Sequence, residues 1–121
     1  MITKRETLPD WEFVGGVTQE YDFTLRAENG YFYDIPGATA SLAVAPFVNP
    51  QITAFTKSGS IVANSAGANC IVRFKLDKND TVNLHGKFIY QITVKNADGT
   101  VAPPMRGRMY ITENIDKSFI G

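Results

Sequence analysis

The sequence predicts an all-β domain, a sandwich or barrel of about seven or eight short strands. Three observations point to it. Segments in which apolar and polar residues alternate recur along the chain. Turn-forming residues punctuate them at spacings of roughly 8–12 residues. No long segment repeats its apolar residues at the helical period of about 3.6.

In the lead-in, 1–16, Leu8, Trp11 and Phe13 are the residues suited to burying apolar surface. Those three residues either cover a sheet edge or dock on a neighbouring subunit. Pro9-Asp10 and Gly15-Gly16 mark turns. The domain proper is expected over 17–113. Gln19 to Ala27 reads as its first core strand, with Tyr21, Phe23 and Leu25 alternating against Asp22, Thr24 and Arg26. Glu28-Asn29-Gly30 is a turn, and Tyr31 to Ile35 follows it. Ala38 to Phe47 is a second strand with Leu42 and Val44 inward, broken by Asn49-Pro50. Gln51 to Ser65 reads as a hairpin turning at Lys57-Ser58-Gly59. After the loop 66–69, Cys70 to Leu76 alternates cleanly, with Val72, Phe74 and Leu76 inward. The polar stretch 77–84 has room for one short helical turn, capped by Asp77 or Asp80.

The most regular stretch is Gly86 to Asn114. Phe88, Tyr90, Ile92 and Val94 fall on every second position, and Asp98-Gly99 supplies a hairpin turn. Ile89 breaks the alternation. Pro103-Pro104 cannot donate ladder hydrogen bonds, so the return strand should begin with an edge, a bulge or an excursion. Beyond it Met109 and Ile111 face inward and Arg108, Tyr110 and Thr112 outward. The tail, 114–121, carries Phe119-Ile120 past the last strand.

The 12 basic and 12 acidic residues cancel. That balance argues against a nucleic-acid partner, because neutralising phosphates takes a surplus of Lys and Arg. Cys70 is the single cysteine, which excludes an intrachain disulfide; in phase with Val72 and Phe74, it reads as a buried, inert thiol. Neither a secretory h-region nor a bilayer-length apolar run is present, so no membrane is expected as a partner.

Residues that carry chemistry are scarce. His85 is the only histidine and sits in a turn. One His and one Cys do not make a structural zinc site. Asp77 to Thr81 opens like a calcium loop, but its sixth and twelfth places hold Val82 and Phe88. Glu20 and Asp22 share a strand face, but that face is expected in water, where nothing tunes a carboxylate for acid–base work. No nucleotide or cofactor fingerprint appears, and none is assigned. Arg106-Gly107-Arg108 is a small basic spot that faces either solvent or an acidic partner.

The segments Gly86 to Val94, Asn96 to Val101 and Arg106 to Thr112 together resemble the closing hairpin of small Ig-like β-sandwich domains in tailed-phage structural proteins, such as the N-terminal domains of baseplate upper proteins. Gln19 to Leu25 is similar to that family's first strand, and Asp34 to Ala40 to its link into the second. Val72 to Leu76 takes the place of its middle strand. The resemblance covers roughly 19–113, while the lead-in and the stretch Phe47 to Ser65 depart from the pattern. It implies an Ig-like antiparallel β-sandwich without catalytic residues. The expected role is that of a virion structural protein, made in the bacterial host cytoplasm. Its partners would be copies of itself and other phage structural proteins. Leu8, Trp11, Phe13, Arg106, Arg108, Phe119 and Ile120 are the candidate interface residues. A second reading is a carbohydrate- or surface-binding sandwich, with Trp11, Tyr31, Phe32 and Tyr33 as an aromatic platform.

Overall fold

A computed structural model describes residues 8–26, 39–65, 69–96, 99–101 and 104–120. Seven strands run in chain order: β1 Trp11–Val14, β2 Gln19–Arg26, β3 Thr39–Pro46, β4 Phe55–Ser65, β5 Asn69–Leu76, β6 Gly86–Lys95 and β7 Met105–Thr112. Two single-turn helices, α1 Lys78–Thr81 and α2 Lys117–Ile120, complete the described elements. The all-β expectation holds, and the helical turn lies within 77–84 as expected. Asp77 is the N-cap residue; its own N–H donates to the Asp80 carboxylate at 2.7 Å.

The strands form one continuous sheet in the order β1-β7-β6-β3-β4-β5-β2. Strands β3, β4 and β5 are consecutive neighbours and β2 returns beside β5, which is a Greek key. The sheet curls so far that its two ends face each other. Trp11 of β1 and Phe23 of β2, from opposite ends of the strand order, have ring centroids 5.4 Å apart. Phe23 lies 5.5 Å from Tyr90 of β6. The apolar face of each strand thus meets another part of the same sheet. Leu42, Val44, Val72, Phe74, Leu76, Tyr90, Ile92 and Met109 are fully buried there.

Two expectations need correction. Residues Lys57-Ser58-Gly59 are not a turn. They lie within the 11-residue β4, whose first half pairs with β3 and second half with β5. Gly59 serves close packing instead: a Cβ there would fall 2.5 Å from Cε1 of Phe74. The sheet is also not wholly antiparallel. β1 runs parallel to β7, pairing Trp11 with Met109 and Phe13 with Ile111. Hydrogen bonds from Leu8 N–H to the Arg106 carbonyl and from Gly15 N–H to the Thr112 carbonyl, both 2.9 Å, extend this pairing.

The closing hairpin follows its pattern. Gly99 has φ +92°, and its N–H donates to the Asn96 carbonyl at 2.9 Å. Phe88, Tyr90, Ile92 and Val94 are buried, as are Met109 and Ile111. β6 pairs with the return segment at Lys95–Val101 and again from Ile92–Met105, with the register shifted by one residue between them. The expected turn Glu28-Asn29-Gly30, the stretch Tyr31 to Ile35, residues 66–68 of the expected loop, Asp98 and Pro103 lie outside the described residues, as do the side chains of Leu25 and Cys70.

Candidate functional site

Every odd-numbered strand finishes, and every even-numbered strand begins, at one end of the curled sheet. The β1–β2 turn, the β3–β4 loop, α1 and the segment after β7 gather there. Interlocking polar contacts join the β1–β2 turn, α1 and the segment after β7. The Gly16 N–H donates to the buried Oγ1 of Thr81 at 2.9 Å, and Nδ2 of Asn114 donates to the Gly15 carbonyl at 2.8 Å. A Cβ on Gly15 would sit 2.6 Å from the Thr81 carbonyl oxygen, so only glycine fits that close approach. Lys57 reaches from β4 to Asp80 at 2.9 Å and Asp77 at 3.4 Å, pinning α1 to the sheet. The Asp80 hydrogen bond, foremost, holds the Lys57 pKa above its ordinary value.

Several large apolar side chains stand exposed at this end among polar ones. Among the described residues, Val14, Val17, Phe47, Val48, Ile52, Ile115 and Phe119 are the large apolar side chains exposed here; at the opposite end only Val101 is. Val48 is 92% exposed, Ile115 99% and Phe119 87%. Isolated exposed apolar residues are ordinary; here they share one end of the sheet.

The β3–β4 loop shapes the surface into a hollow. Two successive turns close it, with Asn49 N–H donating to the Pro46 carbonyl at 3.1 Å and Ile52 N–H to the Asn49 carbonyl at 3.2 Å. The Lys87 ammonium sits 3.9 Å from the centroid of the Phe47 ring, a cation–π contact that holds the ring in place. Phe47, Val48, Ile52, Leu84 and Phe88 line a concave pocket of about 580 Å³, with His85 and Lys87 at its rim. Beside it, the His85 ring lies 4.0 Å from the Glu113 carboxylate, which also accepts a hydrogen bond from Lys117 at 3.0 Å. The Lys117 bond, followed by charge attraction from Lys117 and His85, holds the Glu113 carboxyl below its usual range.

The candidate interface residues scatter across the fold. Leu8 and Trp11 are buried in this chain's own core. Phe13 is half-buried and packs against the core, its ring 5.6 Å from that of Trp11. All three pack in or against this chain's own core. Arg106 and Arg108 are exposed on the outer face of β7, where Nε of Arg106 donates to Oε1 of Gln91 at 2.8 Å. Ile120 is half-buried near Gly16, and Phe119 projects outward. Trp11 is therefore absent from any surface platform, and Tyr31, Phe32 and Tyr33 lie outside the described residues.

Sequence reading missed Phe47, Val48 and Ile52 as surface residues. Their signal is three apolar residues around Asn49-Pro50, in a stretch the turn chemistry marks as loop. Glu20 and Asp22 are ion-pair partners. Asp22 takes Arg73 in a two-pronged contact of 2.8 and 3.0 Å, and Glu20 lies 3.4 Å from the same guanidinium. His85 is exposed, as a turn histidine should be. Among the described residues no three His, Cys, Asp or Glu side chains gather as metal ligands, and no helix is long and apolar enough to cross a membrane.

No family model matches the chain, and no curated protein matches it. Among solved structures it is similar to AggA, the major subunit of aggregative adherence fimbriae type I from Escherichia coli, with a TM-score of 0.43 and 13% identity. The match covers 92% of this chain and 95% of that one. A likeness this shallow carries no argument about what the chain does.

Proposed function

We propose that this protein is a non-enzymatic structural module of a tailed-phage particle, of the tail, neck or baseplate. It works through contacts with neighbouring subunits in a symmetric assembly. The observation that supports this best is the set of exposed apolar residues at one end: Val48 and Ile52 on the doubly turned β3–β4 loop, and Ile115 and Phe119 on the segment after β7, which Asn114 ties to Gly15. Water-exposed apolar groups are suited to burial against another protein. The strand-and-turn resemblance of the closing hairpin to phage structural domains points to the particle.

Mass spectrometry of particles purified after induction of the source strain tests the proposal. The reading expects peptides of this chain in a fixed ratio to the major capsid protein. Well-formed particles that lack the chain would overturn it.

A further inference from the structure

We infer that this end of the sheet pairs with the same end of a second copy, as a closed two-fold dimer. The inference rests on the reading of this chain as an assembly module and names the partner of that surface. The end carries both halves of a self-complementary contact. One half is the pocket of about 580 Å³ formed by Phe47, Val48, Ile52, Leu84 and Phe88. The other is the segment after β7, where Ile115 and Phe119 project almost fully into solvent. The contact between His85, at the pocket rim, and Glu113, two residues before Ile115, places the halves side by side.

Their charges match as well. Lys87 stands at the pocket rim, and Asp116 follows Ile115 on the projecting segment. Seating Ile115 of one copy in the pocket of the other brings an ammonium towards a carboxylate. Because knob and pocket share one end, a two-fold rotation makes both contacts at once and leaves no further pocket open. A knob and a pocket on opposite ends would instead continue head to tail. The geometry therefore favours a dimer that closes over a filament that grows.

Sedimentation equilibrium of the purified chain, with single-site variants, is the test. The wild type is expected to dimerise as concentration rises. Val48→Asp and Ile115→Asp should each weaken the dimer about ten-fold or more, while Val101→Asp, at the opposite end, leaves it unchanged. Val48 and Ile115 are so exposed that neither substitution disturbs the fold, which circular dichroism verifies. Lys87→Glu and Asp116→Lys should each weaken pairing, and the double variant should pair more tightly than either alone, though short of the wild type because Lys87→Glu also removes the cation–π contact with Phe47. A wild type that stays monomeric, a dimer indifferent to Val48→Asp and Ile115→Asp, or a double variant no tighter than either single one would overturn the inference. A monomer that is nevertheless found in particles refutes self-pairing and leaves the particle reading standing. A dimer absent from particles does the reverse.

Discussion

Gly107 of β7 lies directly beneath the ring of Tyr90 on the neighbouring strand β6. A Cβ at Gly107 would stand 2.7 Å from Cε1 and Cζ of that ring. The phenol uses the space to reach across the end of the lead-in, where its hydroxyl donates to the Pro9 carbonyl. One missing side chain on β7 thus lets a β6 aromatic tie down the segment that becomes β1. Gly107→Ala should displace the ring and cost about 1–3 kcal/mol, the usual range for overpacking a filled core. Urea denaturation measures it. Gly99→Ala is the contrasting variant: its site is open, so only the positive φ of +92° opposes the methyl, at about 1–2 kcal/mol.

Trp11 is the centre of the closure between the two ends of the strand order. Its ring lies 5.0 Å from that of Tyr21, 5.4 Å from Phe23 and 5.5 Å from Tyr90. Trp11→Ala should cost about 3–5 kcal/mol by leaving a cavity that strands from opposite ends of the order cannot collapse together to fill. The same residue, the only tryptophan, gives the unfolding signal in the parent protein. The variant is followed by circular dichroism instead.

Thr81 holds the β1–β2 turn from inside. Thr81→Val keeps the shape and removes the acceptor of the Gly16 N–H, leaving a buried donor unpaired at a cost of about 1–3 kcal/mol. Thr81→Ser retains the hydroxyl and should lose less. A loss in Thr81→Ser with none in Thr81→Val would mean that the methyl group, not the hydrogen bond, matters there.

Burial, foremost, raises the Tyr90 phenol's pKa above its ordinary value. In the unfolded chain it ionises near pH ~10. Above that pH the unfolded state releases a proton that the folded state retains, so stability falls as pH rises towards the folded pKa. Urea midpoints should drop on the alkaline side, and the drop should be smaller in Tyr90→Phe. The Asp22 carboxyl moves the other way, held below its ordinary value first by the Arg73 hydrogen bond. Its contribution is present above the ordinary carboxylate pKa and fades as pH falls through the lowered one. Carbon-detected titration of Arg73→Met should show the Asp22 pKa rising.

Much of this fold is legible in the strand alternation. Phe88 to Val94 and Val72 to Leu76 bury the alternate residues that the pattern assigns inward, because a curled sheet has one dry face. The polar stretch 77–84 announces a capped helical turn with Asp77 or Asp80 as candidates, and the structure makes Asp77 the N-cap with Asp80 at N3. Gly59 was misread for a physical reason. A glycine that makes room for a ring looks, in sequence, the same as a glycine that turns the chain, and only Phe74 opposite it decides. The parallel seating of β1 on β7 joins residues nearly a hundred positions apart, such as Trp11 and Met109, and no local pattern encodes it. The exposed apolar residues at one end were hidden likewise. Val17, Val48 and Ile115 come from three separate connections, and only the alternating strand directions bring them to one place.

Incorporation of an end variant into particles tests the central claim most directly. A strain carrying Val48→Asp together with Ile115→Asp would be induced, and its particles assayed for this chain by quantitative mass spectrometry. The same variant, purified, would be checked for wild-type stability. A folded variant that is missing from particles, or depleted in them, is the predicted result. Incorporation at the wild-type level would contradict assembly through this end.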